Sequence, residues 1–121
     1  MSMELYDIRS YGFVADSGGV VVTATVPDMM VGVVVHARYA LGEQDATVTV
    51  FLLQSRLGTV TGTLDVVTLN PSRPTFPDSP ASPDSVVGVV DPGHVVVART
   101  TAGTVTGRIL FGYSLGRTRR P

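Results

Sequence analysis

The sequence predicts an all-β domain: an antiparallel β-sandwich or jelly-roll-like fold of about eight or nine short strands, with a proline-rich extended arm. Three observations carry this. Apolar and polar side chains alternate with a period of two along most of the 121 residues, as on strands with one buried face. Valine and threonine dominate those runs, and both are stiff β-branched residues suited to a pleated surface. Turn signals separate the runs at Asp16-Ser17-Gly18-Gly19, Pro27-Asp28, Gly42-Glu43, Asp91-Pro92-Gly93 and Thr101-Ala102-Gly103. No segment carries a helical stripe of useful length.

The elements follow in order. Over 20–26, Val20, Val22, Ala24 and Val26 alternate with Val21, Thr23 and Thr25, which predicts a half-buried strand. Over 33–41, Val33, Val35, Ala37, Tyr39 and Leu41 form one row, and Val34, His36, Arg38 and Ala40 the other. Segments 46–54 and 58–69 continue the pattern. Asp91-Pro92-Gly93 suits a type II turn, with proline where φ is near −65° and glycine where φ is positive. Thr101-Ala102-Gly103 reads as a short hairpin joining 93–100 to 104–115. In the last run Val105, Gly107, Ile109, Phe111, Tyr113 and Leu115 form the mostly apolar row, so Phe111 and Tyr113 are expected in the core.

GTVTG occurs at 58–62 and at 103–107, but no single period relates this to the other near-repeat, VGVVVHAR and PGHVVVAR. In a chain rich in Val, Thr and Gly this is coincidence. Its glycines still have a physical reading. Gly58 and Gly62 share a row with Val60 and Leu64, and Gly103 and Gly107 with Val105 and Ile109. Each pair is expected to leave a notch where a facing sheet or a neighbouring chain approaches closely.

Residues 70–85, NPSRPTFPDSPASPDS, place Pro71, Pro74, Pro77, Pro80 and Pro83 at every third position. A polyproline II helix has about three residues per turn, so the five rings would line one face. Such a path from Pro71 to Pro83 would span about 40 Å, matching or exceeding the width of a domain this size. Its four P-x-x-P units also match ligands of SH3-like grooves. Because the segment lies between strands, it is read as a stiff arm crossing the domain or a neighbouring subunit, with Phe76 as anchor and Arg73 as polar contact.

Length allows one domain over 1–121 with a core of its own, the 70–85 arm, and a basic tail at 116–121 carrying Arg117, Arg119 and Arg120. Cysteine is absent, which excludes disulfides and thiolate metal sites. His36 and His94 have no second ligand at a metal spacing, and no G-x-S-x-G elbow is present. No cofactor or catalytic residue is therefore expected. A net charge of −1 gives no general reason to expect nucleic acid or an anionic membrane; only the C-terminal arginines could contact phosphates. The start, MSMELYDIRSYGF, lacks a basic n-region followed by an apolar h-region, so cytoplasmic synthesis without an export signal is expected. No apolar run reaches the length of a membrane helix.

Charged residues make up 16% of the chain, against about 25% in a typical soluble domain. A small domain with so little charge is expected to bury apolar surface against other chains. These features suit a structural subunit that associates with itself, with other proteins of the assembly, or both, and a homo-oligomer is expected. Small β-sandwich proteins of bacteriophage particles have this general character, as capsid decoration or cement proteins or as head–tail and tail components. The alternative is a glycan- or peptide-binding module using Tyr6, Tyr11 and Phe13 near the start, or the proline segment.

Overall fold

The structure, a computed structural model, describes residues 5–42, 46–77 and 86–115. Nine strands occur among them: β1 Tyr6–Ala15, β2 Val20–Val21, β3 Met30–Leu41, β4 Val48–Arg56, β5 Thr59–Leu69, β6 Thr75–Phe76, β7 Gly88–Val90, β8 Val95–Thr100 and β9 Val105–Leu115. They form two antiparallel sheets. Sheet I has the order β1-β9-β3-β6, with β7 also on β3; sheet II has the order β2-β8-β4-β5. One continuous hydrophobic cluster lies between them, drawing Phe13, Val34, Tyr39, Ile109 and Phe111 from sheet I and Val50, Leu52, Val67 and Val96 from sheet II. The all-β, two-sheet reading of the sequence is therefore the observed architecture.

β9 follows its alternation closely. Val105, Ile109 and Phe111 are fully buried, while Thr106, Arg108 and Leu110 face outward. The turn at 91–94 also has the expected form: Gly93 has φ 81°, and the His94 amide donates to the Asp91 carbonyl at 3.2 Å.

Three elements depart from the sequence reading. β1 was not expected as a strand, yet it pairs along β9 from Ala15↔Val105 to Tyr6↔Tyr113. The 20–26 strand shortens to Val20–Val21 because a threonine side chain replaces the backbone acceptor. The Val96 amide donates to Thr23 Oγ1 at 3.1 Å, and that hydroxyl donates to the Ala24 carbonyl at 3.1 Å. Thr23 is thereby buried and Ala24 exposed, the reverse of the expected rows.

In β3 the register steps from Val34↔Phe111 to His36↔Leu110, leaving Val35 as an extra residue. A bulge of this kind inverts the faces beyond it. Val34, Ala37 and Tyr39 consequently all face the core, and His36 shares the outer face with Arg38 and Ala40 but not with Val34. β5 shifts register against β4 twice, between Leu52 and Leu53 and between Gln54 and Ser55. Its row of Gly58, Val60, Gly62 and Leu64 is broken accordingly.

Candidate interaction surfaces

The first half of the proline run is tied to its own domain. Asn70 to Arg73 is a tight turn: each backbone amide donates to the other's carbonyl, at 3.2 and 2.9 Å. The Asn70 side-chain carbonyl accepts from the amides of Ser72 and Arg73 at 2.9 and 3.0 Å. Pro71 occupies the turn position that favours its fixed φ. The Leu41 amide then donates to the Pro74 carbonyl at 2.7 Å, and Thr75–Phe76 pairs with Tyr39 and Ala40 of β3. Over residues 70–76 a turn followed by a short strand stands in place of the expected polyproline path. Pro77 follows β6 directly. Pro80, Pro83, Arg117, Arg119 and Arg120 lie outside the described residues.

The Phe76 ring stacks on Tyr39, with ring centroids 6.5 Å apart at 28°. Tyr39 in turn meets Phe13 edge to face at 6.3 Å. These three rings and Gly107 occupy one cross-strand row, Phe13↔Gly107↔Tyr39↔Phe76. A Cβ at Gly107 would overlap the Phe13 ring, so this notch is filled from within the same sheet. The Tyr39 hydroxyl donates to Asp65 Oδ2 on β5 at 2.8 Å, joining the two sheets. Burial first, and then the neighbouring carboxylate, push the Tyr39 phenol pKa far above its ordinary value.

The other glycines have separate reasons. Gly58 (φ 82°) and Gly103 (φ 66°) are turn residues in the left-handed region; no heavy atom lies within 4 Å of where a Gly58 Cβ would be. Gly62 lies under the Gln54 side chain, whose amide nitrogen would be 3.1 Å from a Cβ there. The same Gln54 amide reaches the 91–94 turn, accepting from the Asp91 amide at 3.0 Å and donating to its carboxylate at 3.2 Å.

The aromatics considered for sugar stacking are largely spent on packing. Phe13 is in the core, and Tyr11 stands edge-on to Phe111 at 6.1 Å. Tyr6 remains 43% exposed. His94 is buried, with Nδ1 3.0 Å from the Pro92 carbonyl, while His36 is half-buried on the outer face of sheet I. Among the described residues, no three His, Asp or Glu side chains come together to hold a metal ion.

The surface the sequence reading missed is the outer face of sheet II. Register places three rows on it: Val21, Val97, Leu53 and Thr63; Arg99, Phe51 and Val66; and Val95, Ser55 and Val60. A row of Thr49 and Thr68 follows at one end, with their hydroxyls 3.1 Å apart. Seven of these twelve side chains are apolar, and Arg99 is the single charge among them. Val21, Val66 and Val60 are 62%, 52% and 42% exposed, whereas Leu53 and Ser55 on β4 are buried. The outer face of sheet I differs. There Arg108 stands directly opposite Arg38, and Leu110 opposite His36. The apolar outer face was hard to see because Leu52 and Leu53 are adjacent, so the pattern does not say which points inward.

No protein-family model, no curated protein and no solved structure matches the chain.

Proposed function

We propose that the chain is a structural subunit of a larger protein assembly, a bacteriophage particle, acting as a capsid decoration or cement protein or as a head–tail or tail component. In this role it works by burying interface, without chemistry of its own. The observation that carries the reading is the outer face of sheet II, where apolar β-branched side chains are exposed and one charge is present. Contiguous apolar surface of this kind marks interaction sites on otherwise soluble domains. The short supply of charge over the whole chain supports the same reading, as does an arrangement of aromatics and glycines spent on internal packing. Quantitative mass spectrometry of density-purified particles from the producing culture tests it. The chain is expected at a fixed ratio to the major particle protein through successive gradients; loss of the chain on repurification would overturn the assignment.

A further inference from the structure

We propose that two copies of this chain pack face to face through the outer faces of their sheets II, about a two-fold axis lying in the face along β4. The inference rests on reading that face as an interface, and it names the occupant as a second copy. Size, charge and shape lead to it.

The strands of sheet II hold 2, 9, 11 and 6 residues, which at a rise of ~3.3 Å and a spacing of ~4.8 Å make a face of roughly 440 Å² in plan. A standard interface takes about 800 Å² from each partner. The face alone therefore supports a weak, concentration-dependent dimer, and not an obligate one. That strength suits a contact repeated many times in an assembly, where weak contacts add. Its side chains are mostly valine and threonine, which have little rotamer freedom to lose on burial.

Charge favours a copy of the same chain over a charged partner. The net charge of −1 sets up almost no repulsion between copies, and the face offers an oppositely charged partner only Arg99. With the order β2-β8-β4-β5, an axis along β4 lays β8 of one copy over β5 of the other. Arg99 then stands over Val66 of the second copy and reaches the Thr49–Thr68 hydroxyls at the rim, away from the second Arg99. Val97 of each copy then stands over Thr63 of the other, on either side of the buried Leu53 at the axis. Two sheets stacked in this way keep their strands roughly aligned, as in the interior of a sandwich.

This geometry makes a specific charge prediction. V66R places a guanidinium against Arg99 of the second copy, whereas V66E places a carboxylate there. Sedimentation equilibrium of the full chain from ~5 μM to ~1 mM should show the mass rising from 12.7 kDa toward twice that value. V66R should weaken association at least tenfold, V66E should weaken it less, and R99E should restore it in the V66R background. V14R, at a 60% exposed position of β1 in sheet I, is the control and should leave association unchanged. Circular dichroism checks that each variant is folded.

Because the chain has no cysteine, T49C, close to the axis on β4, should form an intermolecular disulfide under mild oxidation. S10C on sheet I should not. A monomer throughout the concentration range, equal effects of V66R and V14R, or cross-linking through S10C alone would each overturn the proposal. Failure here is separable from failure of the functional reading. A monomer that still purifies with particles retires only the dimer, and a dimer absent from particles retires only the particle assignment.

Discussion

Leu57 has φ 53° and its side chain is 94% exposed. It bears the crowding of a left-handed Cβ and recovers nothing by packing. With Gly58 at φ 82° it forms the two-residue β4–β5 turn, a geometry that favours Asn-Gly. The left-handed region costs an ordinary residue about 1–2 kcal/mol. Leu57→Asn is therefore expected to stabilise the fold by about 1 kcal/mol, read as a higher urea midpoint at unchanged m-value. A midpoint that stays put or falls would show that Leu57 makes a contact worth its strain.

Tyr39 gives a second prediction at the same scale. Its ordinary pKa is 10.0, and burial with Asp65 raises it further in the folded chain. Above pH 10 the unfolded state therefore loses the phenol proton while the folded state keeps it. The folded chain then binds more protons, so stability falls as pH rises. Melting temperature should drop more steeply above pH 10 in the native chain than in Tyr39→Phe. At neutral pH Tyr39→Phe should cost about 1–2 kcal/mol through the lost bond to Asp65.

At the scale of elements, the regular strands were readable and the irregular ones were not. In β9, polar Thr106 and Arg108 mark the outer face, so its core row could be named from spacing alone. β3 carries Val33, Val34 and Val35 in succession, and an extra residue there leaves no polar mark. Leu52 and Leu53 conceal the faces of sheet II in the same way. β1 was missed because Asp7, Arg9 and Ser10 interrupt its first half, although Tyr11, Phe13 and Ala15 do alternate. The glycine notches were half readable. Close approach at Gly107 could be expected from the missing side chain, but sequence spacing cannot say that Phe13 fills it.

The bulge in β3 also sets Arg38 on the outer face directly across from Arg108. Arg108 leans the other way, its guanidinium lying over Gly12 and donating to Ser10 Oγ at 2.9 Å. Like charges directly opposite each other on neighbouring strands are unfavourable. Arg38→Glu should turn this pair into a cross-strand ion pair and stabilise the fold by about 0.3–1 kcal/mol at low salt. Thermal melts in low and high salt check this, since the gain should shrink as salt screens it. A gain that ignores salt would mean that the backbone or packing responded instead of the charge.

For the whole molecule, the two outer faces offer two ways to associate, and ionic strength separates them. Sheet I presents Arg38, Arg108 and the ring of His36 beside the exposed Ile8, Val14, Val89 and Leu110; sheet II presents valines, threonines, Phe51 and a single charge, Arg99. Association through the arginines of sheet I would need an acidic partner surface and would weaken as salt screens it, because the Debye length falls from about 14 Å at 0.05 M to about 3 Å at 1 M. Association through sheet II removes apolar area from water, which added salt does not weaken and excluded salts such as sulfate strengthen. The average mass at a fixed concentration is therefore expected to hold or rise between ~0.05 and ~1 M NaCl, and to rise further in ammonium sulfate. With a net charge of −1, general repulsion between copies is too small for its screening to imitate this result. A mass that falls steadily with salt would move the interface to the arginine face, and V66R would then have no reason to matter.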